Sequence, residues 1–264
     1  MNIDINQLKD IVITSCQAEL LPRYRAVRRE YKSDGSIVTK ADLIMQQRLT
    51  EALADAYPDI AFLGEEMSVA EQEKLLKSDQ ALWCVDPIDG TSNFAAGLPF
   101  FCVSIALIVQ QQIILGLVYD PIREECFTAQ ITQGAYLNGQ PLQAVPQHLD
   151  LRKSIALIDF KRLPTKLSTQ LLTHRAYSSQ RNLGAIALEM CWIAAGRCHI
   201  YLHGRQQLWD YAAAQLILTE AGAQVSTLEG QPLYDGHLEI KSTIAATDQA
   251  LFEQWSHYLS KLSI

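Results

Sequence analysis

The chain has 264 residues, of which 48% are hydrophobic and 19% are charged, and its formal net charge is -7 at pH 7. This is the composition of an ordinary globular protein, and the length suits one large domain or two moderate lobes. The negative charge argues against a nucleic-acid binder that relies on a broad basic surface. It does not exclude a phosphate substrate, because bound metal ions can reverse the local field.

The sequence carries no signal for export or for membrane insertion. Its apolar runs fall short of the roughly 20 residues that a helix needs to span a bilayer. The first ten residues, MNIDINQLKD, lack the basic start and apolar core of a signal peptide. The six cysteines show no CxxC spacing, which predicts reduced, buried thiols rather than a zinc or redox site. We therefore expect a cytoplasmic protein with no membrane or nucleic-acid partner.

The first quarter of the chain predicts two helices. Apolar residues recur at helical spacing over residues 3–21, and a second helix is expected after residue 41. Its predicted inward side chains are Leu43, Met45, Leu49, Leu53 and Ala56. Between the helices, residues 32–36 are polar and predict a loop. A basic cluster there fits either a polyanion patch or a solvated face near a helix end, and its members are Arg23, Arg25, Arg28, Arg29 and Lys32.

The rest of the chain predicts two lobes. We place the first lobe at residues 1–145 and expect it to be an α+β unit. Its predicted strands are at 60–63, 81–85, 102–108, 113–118, 125–129 and 134–139. Two prolines within residues 140–152 break the periodicity and suggest a boundary. The second, α/β lobe is placed at residues 146–264. Its strands are predicted at 155–158, 199–202 and 243–246, and its helices at 164–172, 184–196, 210–221 and beyond residue 248.

The stretch from Trp83 to Phe101, WCVDPIDGTSNFAAGLPFF, carries the clearest chemistry. Asp86 and Asp89 follow a short apolar strand and precede a predicted helical turn that starts at Thr91. Gly90 permits a sharp turn and a close approach of a ligand. Two carboxylates beside the free amides of a helix start can hold a cation and an anion side by side. The segment therefore indicates a metal-and-phosphate site.

The residues DPIDGTSNF within this stretch resemble the central signature of the inositol monophosphatase family, which are lithium-sensitive, magnesium-dependent phosphomonoesterases. Two further segments fit the family pattern in the same order: Gly64-Glu65-Glu66 upstream, and Trp209-Asp210 before an Ala-rich helix downstream. The resemblance covers residues 32–225. It implies a layered αβαβα sandwich, of mixed α+β and α/β character, that is usually a homodimer.

The matching acids offer hard oxygen ligands, which favour two or three Mg2+ ions, with Mn2+ as an alternative, over zinc or copper. The resemblance assigns Glu65, Asp86 and the carbonyl of Ile88 to one ion. It assigns Asp86, Asp89 and Asp210 to a second, and a weaker third ion shares Glu65. From the residues alone, Asp210 also fits a plain helix N-cap, and one carboxylate can serve both roles.

The resemblance also implies a mechanism without a covalent phosphoenzyme. Glu65 and Thr91 position a metal-activated water, and Asp42 orients Thr91. By its position alone, Asp42 is an ordinary acid in the first turn of a helix. Backbone amides of Gly90 and Thr91, with Ser92 beside them, hold the phosphate oxygens at the short helix start.

The substrate-facing part of the sequence departs from the family. Its R-x-x-G-[ST]-A-A segment is matched by residues 181–187, with Ala185 in place of the hydroxyl residue and Ile186 in place of a small Ala. His203 falls where the family carries an acid or amide, and both a substrate contact and a surface histidine fit the sequence. Lys161 and Arg162 either reach a second phosphate or lie in a solvated loop. The expected substrate contacts are Asp89, Gly90, Thr91, Ser92, Gly184, Ala185, His203 and Asp210.

The sequence thus predicts a Mg2+-dependent phosphomonoesterase acting on inositol monophosphate or a related sugar or polyol phosphate. The alternatives are a fructose-1,6-bisphosphatase and a 3'(2'),5'-bisphosphate nucleotidase, although related nucleotidases tend to carry DPLDGTKEF. A regulatory or binding protein on a phosphatase scaffold is the alternative of another class. The retained acids argue against it, because converging carboxylates are costly unless they are used.

Overall fold

A computed structural model describes residues 3–26, 30–31, 37–78, 80–144 and 149–262, with the backbone alone for residues 30, 31, 37 and 38. The predicted loop at 32–36, the predicted lobe boundary at residue 145, and Arg28, Arg29 and Lys32 lie outside the described residues. The α-helices of the described part are α1 (Ile5–Ser15), α2 (Lys40–Ala56), α3 (Val69–Leu76), α4 (Thr91–Ala96), α5 (Thr165–Thr173), α6 (Ile186–Ala194), α7 (Leu208–Glu220) and α8 (Gln249–Ser260). Within this part, no helix is long and apolar enough to cross a membrane.

A seven-stranded sheet forms the first half of the molecule. Its order is β3 (Ala61–Gly64), β4 (Leu82–Asp89), β5 (Cys102–Val109), β6 (Gln112–Asp120), β7 (Glu125–Gln130), β8 (Ala135–Leu137) and β9 (Gln140–Leu142). β3 runs parallel to β4, and every following neighbour is antiparallel. Ahead of it in the chain, β1 (Glu30–Tyr31) pairs with β2 (Ile37–Val38). The predicted hairpin of residues 102–118 is confirmed as β5 and β6.

A five-stranded sheet forms the second half. Its order is β11 (Ser179–Arg181), β10 (Ile155–Ile158), β12 (Ile200–Gln206), β14 (Lys241–Ala246) and β13 (Gln224–Ser226). β10 is parallel to both β11 and β12, whereas β14 is antiparallel to its two neighbours. Because β10, β11 and β12 are parallel, their carboxyl ends meet at the same edge of the sheet.

Three hydrophobic clusters separate five layers. The first lies between α1 and α2 and one face of the large sheet, with Leu8, Met45 and Trp83 among its members. The second packs α6 and α7 between the two sheets and includes Cys84, Leu188 and Tyr201. The third holds α5 and α8 on the outer face of the small sheet and includes Leu167, Ile200 and Trp255. Alternation along β4 sends Trp83 and Cys84 to opposite faces, as a strand between two layers requires. The expected αβαβα sandwich is confirmed.

The middle cluster draws residues from both sides of residue 145, so the division into lobes 1–145 and 146–264 stays a prediction. One predicted core residue is wrong: Leu43 is 54% exposed, because α2 turns its Ala41, Met45, Leu49 and Leu53 face inward instead. All six cysteines are buried and unbridged, which confirms the prediction of core thiols. Of the basic cluster, Arg23 forms an ion pair with Glu19 at 2.8 Å, which favours the solvated helix-end interpretation for that residue.

Candidate active site

The site begins inside β4 rather than after it. Residues 82–89 are all buried in strand conformation, so Asp86 and Asp89 lie within the sheet, opposite Ser104 and Cys102 of β5. The predicted strand end at residue 85 is therefore wrong. Proline and two acids continue the strand because β5 pairs with it on one side, with an irregular register between Asp86 and Asp89.

Gly90 makes the turn from β4 into α4 in a conformation that residues with a side chain rarely adopt. Its φ is +93°, in the left-handed region. A Cβ at this position would lie 3.0 Å from the Cβ of Ala185 and 3.1 Å from the carbonyl oxygen of Phe100. The turn thus brings the start of α4 against the segment that precedes α6.

Asp89 ties this strand to α6. Its Oδ1 accepts a hydrogen bond from the amide of Ile186 at 2.9 Å, and its Oδ2 accepts one from the amide of Ala187 at 2.6 Å. The Cys102 thiol approaches Oδ2 at 3.5 Å. Burial raises the pKa of Asp89 to about 6, although these donors oppose the rise. The position of Asp89 is therefore set by a helix start 97 residues further along the chain.

Asp42 and Thr91 meet as the sequence analysis expected. The Thr91 hydroxyl lies 2.9 Å from Oδ1 of Asp42 and also 2.9 Å from the carbonyl oxygen of Ile88. The other oxygen of Asp42 accepts the amide and the hydroxyl of Thr39, both at 2.7 Å, in a capping box at the start of α2. One buried carboxylate thus caps a helix and orients a hydroxyl at the head of α4.

Asp210 comes from the far side of the site, in the first turn of α7. The N-cap hypothesis for this residue is wrong in detail: Gln207 occupies the N-cap, and Asp210 lies three residues on, accepting the Gln207 amide at 2.8 Å. Burial and then the charge of Asp89 raise the pKa of Asp210 well above its usual range. Asp210 and Asp89 are therefore near enough to repel each other.

The acids gather around Asp86, which is 3% exposed. Burial raises the pKa of Asp86 well above its usual range, and the charges of four further acids raise it more: Glu65, Asp89, Asp210 and Asp42. Glu65 follows β3, and its amide bonds to the carbonyl of Val85. The amide of Ile88 donates to Oδ1 of Asp86 at 3.0 Å. Five acids, from β4, α2, α7 and the residue after β3, thus share one region of the molecule.

In the described part of the chain, no three His, Cys, Asp or Glu side chains already stand in a metal-holding arrangement. Backbone amides hold both oxygens of Asp89 and one oxygen each of Asp86 and Asp210. The donor set nevertheless fits a hard divalent cation, because it consists of carboxylates and a carbonyl. A cation would also relieve the repulsion that raises the pKa of Asp86.

The segment before α6 is held by two side chains that sequence reasoning missed. Glu189 is 2% exposed, and its Oε1 accepts the amides of Leu183 at 2.5 Å and Gly184 at 3.1 Å. Asn93 of α4 donates to the carbonyl oxygen of Leu183 at 2.7 Å. An acid inside the otherwise apolar run of α6 was the signal in the sequence. These contacts shape the segment that includes Gly184 and Ala185, two predicted substrate contacts.

We expect Glu189→Gln to raise the stability of the protein at alkaline pH relative to the wild type. Burial raises the pKa of Glu189 to about 7, and the charges of Asp89 and Asp159 contribute to the rise. Because the folded protein holds this proton more tightly than the unfolded chain does, the free energy of unfolding is highest at acid pH and falls as the pH rises through about 7. Glutamine keeps an acceptor and never ionises.

The measurement for Glu189 is the melting temperature of the two proteins from pH 5.5 to pH 8.5. The difference, variant minus wild type, should become more positive by a few degrees over this range. A difference that stays flat with pH would contradict the assignment. Glu189→Ala is the companion variant; it removes the acceptor altogether, so the amides of Leu183 and Gly184 should exchange hydrogen faster.

His203 is not the surface histidine that one interpretation of the sequence expected. It is 3% exposed, and its Nε2 faces Oδ2 of Asp159 at 3.5 Å, while its Nδ1 accepts the amide of Arg205 at 3.3 Å. Burial lowers the pKa of His203 from its usual value. The imidazole is therefore neutral at pH 7, with the proton on the nitrogen that faces Asp159.

Solved structures share the whole architecture. The extragenic suppressor protein SuhB of Bartonella henselae superposes with a TM-score of 0.83 at 27% identity, over 97% of this chain and 98% of that one. SaIMPase-II with bound inositol monophosphate gives 0.81 at 25% identity, over 97% and 93%. An IMPase/NADP phosphatase complexed with Mg2+ and phosphate gives 0.79 at 25% identity, over 94% and 91%. The fold and the acidic site define a phosphatase that acts on phosphomonoesters.

Sequence comparison then identifies the family. The inositol monophosphatase family model matches residues 6–262. Inositol monophosphatase 1 of Bos taurus is 33% identical over 229 residues, which are 84% of this chain and 81% of the bovine one. The Nus factor SuhB of Pasteurella multocida (strain Pm70) is 36% identical over 214 residues, 78% of each chain. The chain belongs to the inositol monophosphatase family.

Proposed function

We propose that this chain is a Mg2+-dependent phosphomonoesterase that hydrolyses a sugar or polyol phosphate, of which inositol monophosphate is the first candidate, by direct attack of water. The observation that carries the proposal is the hydrogen bond from Thr91 to Asp42 directly beside Asp86 and Glu65. Because the Thr91 hydroxyl donates its hydrogen to a buried carboxylate, its oxygen lone pairs point away from Asp42 and can accept a hydrogen bond from a water molecule. The relatives described above include a phosphatase bound to inositol monophosphate, which supports this substrate class.

The proposed metal ligands are Glu65, Asp86, the carbonyl of Ile88, Asp89 and Asp210, and two or three ions would share them. Bound Mg2+ supplies a Lewis acid and a water of lowered pKa, and Mn2+ can replace it. The complex of an IMPase/NADP phosphatase with Mg2+ and phosphate supports the choice of ion. A homodimer, as the resemblance implies, is part of the proposal and is tested by sedimentation.

The protein's own groups carry the remaining steps. Thr91 and Glu65 orient the attacking water, and Asp42 keeps the Thr91 hydroxyl in place. The amides at the start of α4 point away from the helix and lack carbonyl partners within it, so those of Gly90, Thr91 and Ser92 can receive phosphate oxygens. Asp210, at the start of α7, orients the water that protonates the departing alkoxide, which then leaves as the alcohol.

We expect phosphate release from phosphomonoesters in the presence of Mg2+ and its loss in EDTA. The measurement is colorimetric phosphate release from inositol 1-phosphate, fructose 1,6-bisphosphate and 3'-phosphoadenosine 5'-phosphate, because these represent the three substrate classes considered. Re-addition of Mg2+ to the chelated enzyme should restore the rate. If the folded protein releases no phosphate from any of the three esters with Mg2+ present, the proposal is wrong, and a binding role on a phosphatase scaffold is favoured.

A further inference from the structure

The three parallel strands β10, β11 and β12 end at the same edge of the small sheet. The segments that leave these parallel strands are residues 159–162, 182–185 and 207–210. Ligands of parallel sheets bind at such an edge. Two of these segments carry predicted substrate contacts, Gly184 and Asp210. The third, residues 159–162, has no role in the proposed mechanism, and it carries Lys161 and Arg162.

The segment 159–162 contains a short 3-10 turn that packs beside β12. Asp159 anchors it, because its Oδ1 accepts the amide of Lys161 at 3.1 Å and its Oδ2 faces Nε2 of His203 at 3.5 Å. The backbone of Arg162 rests on Gly204, where a Cβ would lie 2.1 Å from the Arg162 carbonyl oxygen. Gly204 thus permits a contact between main chains that holds the turn beside the strand leading to α7.

The charges of this turn are unbalanced. Lys161 and Arg162 are exposed, and in the part of the chain that the structure describes neither forms an ion pair with a carboxylate. The carboxylate of the nearby Asp159 is 7% exposed and sets one negative charge against these two cations, because its partner His203 is neutral. Arg162 follows β10 and Asp210 follows β12, the parallel neighbour of β10, so both residues lie at the same edge of the sheet.

We propose that Lys161 and Arg162 form a subsite for a second anionic group on the substrate, located on the part that departs as the alcohol. Sugar phosphates that bear a further phosphate or carboxylate are then hydrolysed more efficiently than the sugar phosphates that lack one. A guanidinium matches either group with two parallel hydrogen bonds, and an ammonium adds a point charge. This inference rests on the proposed function, whose hydrolytic site it extends.

The test compares matched substrate pairs that differ by one anionic group. Fructose 1-phosphate against fructose 1,6-bisphosphate adds a phosphate, and glycerol 2-phosphate against 2-phosphoglycerate adds a carboxylate. We expect kcat/KM to favour the more anionic member of at least one pair by about tenfold, mainly through KM, and the preference to weaken with added salt. The pair that shows the preference identifies the anionic group.

The decisive variant is Lys161→Ala/Arg162→Ala, which should reduce the preference ratio to about one. A matched control exists at the opposite end of β10: Arg152→Ala/Lys153→Ala removes two exposed charges from a similar short turn, which Asp150 anchors through the Arg152 amide. The control should keep the wild-type ratio. The proposed subsite would be wrong if the wild type gave equal kcat/KM values within both pairs. It would also be wrong if the wild type, the variant and the control all gave the same preference ratio.

A failure of the proposed function is distinguishable from a failure of the subsite. If no ester is hydrolysed with Mg2+ present, the proposed function fails, and calorimetric binding of fructose 1,6-bisphosphate and fructose 1-phosphate then decides the subsite. Tighter binding of the bisphosphate that the Lys161→Ala/Arg162→Ala variant loses supports it. Equal binding of the two ligands to the wild type rejects it.

Discussion

Asp86→Asn is expected to abolish phosphate release and, at the same time, to stabilise the metal-free protein. The activity should fall by at least roughly a hundredfold in kcat, because a neutral amide cannot replace a charged ligand at the centre of the acidic cluster. The fold should survive, since asparagine keeps the Oδ1 that accepts the amide of Ile88. Phosphate release with saturating Mg2+ is the measurement.

The stability effect of Asp86→Asn follows from the charges that surround this residue. Burial and the charge of Glu65 are the largest causes of the raised pKa of Asp86. A carboxyl group with a raised pKa loses its stabilising contribution as pH rises through that pKa. In EDTA at pH 8 the variant should therefore melt several degrees above the wild type. The difference in melting temperature should disappear in acid, where both proteins are uncharged at this position, and it should become smaller when Mg2+ is added.

Asp55→Asn is the control for this experiment, because Asp55 is an exposed acid on α2. It should change neither the rate nor the melting temperature in EDTA. A melting temperature of Asp86→Asn below that of the wild type at pH 8 in EDTA would contradict the repulsion argument. Full activity of Asp86→Asn would show that Asp86 has no catalytic role.

Asp42→Asn is expected to lower both stability and kcat, since one carboxylate serves three donors. Its two oxygens accept from the Thr39 amide, the Thr39 hydroxyl and the Thr91 hydroxyl. An asparagine offers one acceptor and one donor, so either the cap of α2 or the contact with Thr91 is lost. We expect a loss of about 1 kcal/mol from the cap. The rate should fall roughly ten- to a hundredfold, as for other groups that orient a catalytic side chain.

The chain offers a matched control for Asp42 in the second capping box. Ser68 and Glu71 make the same reciprocal contacts at the start of α3, where Glu71 accepts the Ser68 amide and hydroxyl. Glu71→Gln therefore changes a cap without changing the site, and kcat should stay at the wild-type value. Thermal melts and steady-state rates of the two variants separate the roles. If Asp42→Asn lowers only the melting temperature, Asp42 is a helix cap and not a positioning residue for Thr91.

Local patterns predicted the elements that depend on neighbours in sequence. Helical spacing identified α1, α2 and α8, and the apolar runs identified the hairpin of β5 and β6. The short strands β11 and β13 were missed, because three polar-rich residues become a strand only when a long neighbour pairs with them. The same limit applies to β4, whose extension to Asp89 depends on its pairing with β5.

Some features of the site also follow from the local sequence, whereas others depend on contacts made in the folded protein. The sequence by itself determined which acids are present, and the DPIDGTSNF motif with Asp42, Glu65 and Asp210 was sufficient to predict their type of chemistry. Only the tertiary structure decided that Glu189 holds the segment before α6, that His203 is buried against Asp159, and that Asp89 accepts the amides of Ile186 and Ala187. The contacts of His203 and Asp89 join residues far apart in the chain, and the contact of Glu189 joins a helix to the loop before it. Their energies arise from burial and proximity, which no local spacing of residues encodes.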